Sequence, residues 1–225
     1  MKSREPAPAP RPEPGPVTAL RQSPRRAGRY AVEVGGVAVT PVSVETISEL
    51  ALAVGRAVSA QALARLLEAS AATGCYDKAT DALARKGRSR RELERYLKQR
   101  EHSPDAIAFA CARLLSLGLL DDDAYARAYA DGPARSRGFG SRRTMSELRR
   151  RGVESSIVDR VLGARDEDAR EAEQHTLDAA AQRRAKSLRS LDPAVAYRRL
   201  VGWLVRRGFG IGEASRAARA VLKEA

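Results

Sequence analysis

The sequence predicts a mainly α fold: tandem three-helix repeats, three units in an elongated curved array, with a small N-terminal β-hairpin. Three observations carry this. Helix-start and helix-stop residues recur from Ser43 onward. A leucine-centred basic segment returns three times. Apolar residues make up 43% of the 225-residue chain, but aromatic residues only 4%. With so few rings, Ala, Leu and Val must do the packing, which favours closely approaching helices.

Residues 1–27 hold seven of the eleven prolines and six basic residues against two Glu. The expectation is a disordered basic leader, because such a segment buries too little apolar area to offset its ordering entropy. Its removal should then leave the fold and its thermal midpoint unchanged. Residues 28–73 form the next segment. Tyr30–Val34 and Val37–Thr40 flank Gly35-Gly36, the pattern of a hairpin with a primed turn, and Pro41 is expected to end it. Helices of roughly 10–15 residues follow. Ser89 and Glu92 match a capping box. Ser103-Pro104 and Asp192-Pro193 place a capping side chain before a proline at the first helical position, and Asp121 and Ser141 are further N-cap candidates. Gly87, Gly118, Gly152 and Gly208 stand where helices should stop.

Matching Leu97, Leu148 and Leu204 gives the repeat. Each has two or three basic residues after it, then a turn, then an apolar helix bearing Ile107/Ala110/Leu114, Ile157/Val161 or Ala214/Ala218/Leu222. Before each lies another helix, at residues ~75–86, ~122–131 and ~167–188. The repeats are therefore 74–118, 119–164 and 165–225.

Lys plus Arg total 41 and Asp plus Glu 28, a net charge of +13. Such a charge points to an acidic partner, nucleic acid first, with acidic protein surfaces and anionic membranes as the other classes. No apolar run suits a transmembrane helix, no secretory h-region follows Met1, and Cys75 and Cys111 belong to no C-x-x-C motif. A cytoplasmic protein with reduced thiols is expected. No zinc spacing, Walker A loop, Gly-x-Ser-x-Gly elbow or Ser-x-x-Lys is present, so no catalytic residue, metal or cofactor is assigned. Asp121-Asp122-Asp123 reads as an acidic helix start, since consecutive side chains on a helix diverge.

The middle helix of each repeat is basic. Any one such run suits a solvated face, but three at matching positions suit a binding stripe. The residues assigned to filament or nucleic-acid binding, from charge and repeat position, are Arg91, Lys98, Arg137, Arg142, Arg143, Arg149, Arg150, Arg206 and Arg207. Two readings stay open for Arg135–Arg143: a glycine-bearing loop whose N–H groups hold a phosphate at a helix N-terminus, or a plain interhelical turn.

Gly118-Leu119-Leu120-Asp121-Asp122, Tyr125-Ala126, Arg137-Gly138-Phe139-Gly140, Glu147-Leu148, Arg151-Gly152-Val153 and Arg88-Ser89-Arg90-Arg91-Glu92-Leu93 together resemble the RecX family of RecA regulators. The resemblance covers most of residues 28–222. The chain departs from the family pattern in its Pro-rich leader and in a long charged helix at ~166–190. The resemblance implies a monomeric, non-enzymatic regulator that binds RecA and lies in the groove of the RecA–DNA filament. It would hinder filament extension, strand exchange and coprotease activity, and bind nucleic acid alone weakly and salt-dependently, without a membrane. The competing readings are a stand-alone basic DNA-binding protein, nucleoid-like or helix-turn-helix, and a nuclease, which would need a carboxylate cluster for metal.

Overall fold

The computed structural model describes residues 10–163 and 167–223. The described residues are mainly helical, with a four-stranded antiparallel sheet of order β3-β2-β1-β4 on the N-terminal side of the long helices. The strands are β1 (Gly15–Gln22), β2 (Arg29–Val34), β3 (Val37–Ser43) and β4 (Ala57–Val58). The hairpin forms where the glycine pair predicts it, with positive φ at Gly35 and Gly36.

Residues 1–27 are not a disordered leader throughout. Residues 1–9 lie outside the described residues, but β1 pairs along β2 from Val17↔Val34 to Gln22↔Tyr30, and with β4 at Gly15↔Val58 and Pro16↔Ala57. After the last clustered proline, Val17-Thr18-Ala19-Leu20 is a short β-favouring run, and Val17 buries completely against Val32, Val34, Val58 and Leu66. Nor does Pro41 end the hairpin. β3 continues to Ser43, with one extra residue between the Tyr30↔Val42 and Val32↔Val39 pairs. Pro41 sits in that bulge on an edge strand, where a missing N–H costs no ladder bond.

Helix α1 (Val44–Glu49) starts at Ser43, whose side chain accepts from the Thr46 N–H. Helix α2 (Ala60–Arg85) has 26 residues, well beyond the expected length. The expected boundary at 73/74 falls inside it. Its N-terminal half packs on the sheet through Leu63 and Leu66, and its C-terminal half builds the next core through Cys75, Ala79 and Ala82. Both cysteines are free, and burial pushes the Cys75 thiol up to about 11, with Cys111 adding to the shift, so it stays protonated at neutral pH.

Eight further helices follow: α3 (Arg90–Lys98), α4 (Pro104–Ser116), α5 (Asp122–Tyr129), α6 (Ser141–Arg150), α7 (Ser155–Gly163), α8 (Glu167–Ala185), α9 (Pro193–Arg206) and α10 (Ile211–Lys223). A π-helical turn (Ala130–Ala134) extends α5 and a 3-10 turn (Lys186–Leu188) extends α8. α2–α4, α5–α7 and α8–α10 each enclose a core. The anchors Leu97, Leu148 and Leu204 are each fully buried in one of them.

Ser103, Asp121 and Asp192 cap their helices as predicted. Ser141 does not: Gly140 occupies the N-cap position and Ser141 is the first helical residue. Gly118, Gly152 and Gly208 follow their helices with positive φ. Gly87 does not, because α2 already ends in an extended Lys86.

The chain divides into two compact units. The first takes the sheet, α1, α2, α3 from Leu93 and α4. The second takes Gly87–Glu92 together with everything from Asp121 onward.

Val17→Ala should lower stability by about 2 kcal/mol, the scale of removing buried methyl groups. Deleting residues 1–22 should lower the thermal midpoint clearly. An unchanged midpoint by circular dichroism would return the segment to a dispensable leader.

Candidate functional site

In the second unit, the capping box at the start of α3 is formed. The Glu92 N–H donates to Ser89 Oγ (3.1 Å), and the Ser89 N–H donates to the Glu92 carboxylate (3.4 Å). Both side chains are also used elsewhere. Ser89, fully buried, donates its hydroxyl to the Arg151 carbonyl (2.6 Å). Arg151 Nη1 donates to Glu92 (2.8 Å) and to the Tyr125 hydroxyl (3.3 Å), which donates to Glu92 (3.0 Å). The guanidinium lies 4.7 Å from the centre of the Tyr129 ring. Burial pushes the Tyr125 phenol up to about 12, and Glu92 adds to it. Burial works against the Arg151 charge, but Tyr125, Tyr129 and Glu92 raise its pKa overall. Arg151, the last of the basic run 149–151, is therefore a structural residue.

The three consecutive aspartates have three separate tasks. Asp121 caps α5 by accepting from the Asp123 and Ala124 N–H groups. Asp122 accepts from the Arg90 N–H at 2.8 Å. Asp123 accepts from Arg160 Nη2 at 2.6 Å and from Arg160 Nε at 3.1 Å. Among the described residues no group of three His, Cys, Asp or Glu is placed to hold a metal ion.

The Arg135–Arg143 segment is not a phosphate loop. The N–H groups of its glycine turn are already engaged: Gly138 to the Arg135 carbonyl, Phe139 to Ala134 and Gly140 to Arg207 (2.8 Å). The N–H and hydroxyl of Ser141 both donate to the Glu173 carboxylate, at 2.7 and 2.8 Å. A carboxylate from α8 thus occupies the N-terminus of α6, where the backbone N–H groups favour an anion. Gly208 lies against this segment at φ +94, and any Cβ there would overlap the Arg143 backbone.

The nine residues assigned to binding have different environments. Arg142 and Arg206 are exposed, with no carboxylate partner among the described residues. Arg137 is exposed too, and its carbonyl accepts from Arg207 Nη1. Arg91, on the first turn of α3, lays its aliphatic stem against Gly152. Lys98 is exposed in the first unit. Arg149 pairs with Asp159 at 2.6 Å. Arg143 and Arg150 share Glu147, at 2.6 and 2.7 Å. Arg207 is half-buried between Trp203 (4.4 Å) and Phe139 (5.5 Å). In the second unit, Arg137, Arg143 and Arg207 come together at the turn before α6, while Arg149 and Arg150 are held by carboxylates further along that helix.

Glu147 and Glu173 carry no sequence signal for these roles, because their partners are set by packing. Glu147 is 5% exposed. The hydrogen bond from Arg150 holds its carboxyl below the ordinary value against the cost of burial, with the charges of Arg150 and Arg143 helping. A carboxyl with a depressed folded pKa stabilises fully above its unfolded value, and that contribution is lost as pH falls through the folded value.

Two RecX family descriptions match this chain: the first three-helix domain over residues 75–114 and the second over residues 121–162. The regulatory protein RecX of Streptomyces coelicolor is 34% identical over 137 residues, covering 61% of this chain and 71% of that one. Its counterpart in Thermobifida fusca is 34% identical over 141 residues, covering 63% and 75%. The crystal structure of a regulatory protein RecX superposes with a TM-score of 0.71 at 19% identity, over 93% of this chain and 99% of that one, and supports the fold. A RecX from Lactobacillus salivarius superposes with a TM-score of 0.57 at 18% identity over 67% of this chain.

Arg151→Met should cost about 2–4 kcal/mol, because the half-buried Glu92 would lose its charged partner. Arg149→Ala should cost less than about 1 kcal/mol, because its pair with Asp159 is exposed on both sides. Urea unfolding separates the two, and equal effects would remove the distinction between structural and surface arginines. Glu147→Gln should lose stability relative to the parent at neutral pH. That difference should shrink as pH falls below the ordinary carboxyl value of 4.5, whereas a constant gap down to acid pH would assign it to packing.

With three-helix cores matching two successive family domains, and relatives at 34% identity over about seven-tenths of their length, the chain belongs to the RecX family of regulatory proteins.

Proposed function

We propose that this chain is a non-enzymatic regulator of a RecA recombinase. It binds RecA and the groove of the RecA–DNA filament, and limits filament extension, strand exchange and coprotease activity by occupancy. Membership of the RecX family is the observation that carries this reading. The charge supports it: Lys98, Arg137, Arg142 and Arg206 are exposed, with no carboxylate partner among the described residues. Exposed arginines suit phosphate and carboxylate alike, as a filament of protein on nucleic acid requires. Among the described residues no helix is long and apolar enough to cross a membrane. The chain acts as a monomer in the cytoplasm on this reading, and needs no metal or cofactor.

The test is RecA-driven ATP hydrolysis on single-stranded DNA, with and without this protein. Inhibition below or near equimolar protein is expected, whereas full hydrolysis at excess protein overturns the reading. Reversing Arg142 and Arg206 to Glu should raise the half-inhibitory concentration about tenfold, equivalent to about 1.4 kcal/mol of binding. Tight DNA binding without any effect on RecA would favour the stand-alone DNA-binding protein instead.

A further inference from the structure

The second unit concentrates positive charge where α6, α8 and the end of α9 meet. Arg183 and Arg184 lie near the end of α8, Arg207 follows α9 and Arg143 is on α6. They gather around two rings. Arg207 is 4.4 Å from the centre of Trp203 and 5.5 Å from that of Phe139. Arg143 lies 5.5 Å from the Phe139 centre on its own account, and Arg184 5.9 Å from that of Trp203. A Cβ placed on Gly138 would stand 3.4 Å from Arg183 Nη2 and 4.0 Å from Arg207 Nη1, so these two guanidinium groups reach the same backbone position.

Counter-charge is scarce here. Arg143 has Glu147. Arg207 donates to a neutral carbonyl, that of Arg137, and Arg183 Nε to the Ala179 carbonyl. Arg184 Nε is buried with no hydrogen-bond partner. Burial holds the Arg207 pKa below its ordinary value, and the charges acting with it are those of Arg183 and Arg143, all of the same sign. Aromatic faces offset part of the cost of bringing like charges together, but a ring carries no net charge. An anion would remove the repulsion and supply acceptors for the free N–H groups.

We infer that Arg183, Arg207 and Arg143, gathered on the Phe139–Trp203 faces, form a binding site for a phosphodiester of single-stranded nucleic acid. The arrangement favours phosphate over carboxylate. The Phe139 and Trp203 rings beside these guanidinium groups suit a ligand that carries bases as well as negative charge, which a carboxylate side chain does not. Arg183 is the informative residue, since it is exposed on α8, outside the two matched family domains. The inference deepens the filament reading by naming where nucleic acid is touched, but its test needs no recombinase.

Trp203 is the only tryptophan in the chain and lies within the site. Its fluorescence in the full-length protein can be followed during titration with a short oligothymidylate. A saturating change is expected at low salt and should weaken as salt rises. Arg183→Glu, on an exposed position of α8, should weaken the apparent affinity about tenfold and make the log–log salt slope shallower by about 0.7 for each phosphate no longer neutralised. Arg183→Lys should restore most of the binding. Three results would overturn the inference: no Trp203 response to the oligonucleotide, an unchanged affinity in Arg183→Glu with native circular dichroism, or a stronger response to polyglutamate than to oligothymidylate. If the tryptophan signal fails while inhibition of RecA persists, only this site is lost.

Discussion

The Glu92–Arg151 pair joins residues 59 positions apart and ties the start of α3 and the helix α5 to the end of α6. Glu92 serves the α3 cap, the Tyr125 hydroxyl and the guanidinium at once. Ser89 binds the Arg151 carbonyl, so backbone and side chain of one residue are held by a single turn. Removing one member would leave the others half-buried without their partners, at a cost in desolvation. Tyr125, the capping box and the Arg151-Gly152 step therefore act as one constraint.

How much of this could be read from the sequence depended on range. Ser103, Asp121 and Asp192 were legible as caps because each accepts from an N–H two or three residues away. The leucine anchors were legible because helix periodicity is local. The sheet was legible only as its hairpin: β1 depends on partners across Arg29–Val34 and Ala57–Val58, and its proline-rich approach masks a four-residue β run. The length of α2 was not legible either, since its two halves belong to different cores, set by partners distant in sequence.

The candidate site was legible in composition and not in geometry. Nine basic residues chosen by repeat position proved to be of different kinds. Arg143, Arg149 and Arg150 have carboxylate partners, Arg207 is wedged between rings, and Arg142 and Arg206 remain exposed. With 28 acidic residues for 41 basic ones, many arginines must find carbonyls, rings or an outside partner. Which arginine draws which partner is decided by packing between elements distant in sequence. Glu173 shows it most plainly: it fills the α6 N-terminus from 32 residues away and turns an apparent phosphate loop into an internal joint.

Neither compact unit is a continuous stretch of chain, because Gly87–Glu92 leaves the first to complete the second before the chain returns. A fragment beginning at Asp121 would contain every helix of the last two repeats and still lack Ser89 and Glu92. Arg151 would then face a socket with its carboxylate missing. Limited proteolysis, recombinant dissection or natural shuffling of repeats would meet the same obstacle. The boundary that sequence periodicity draws between repeats is not a line along which this molecule can be cut, and its modularity belongs to the pattern of helices and not to separable pieces.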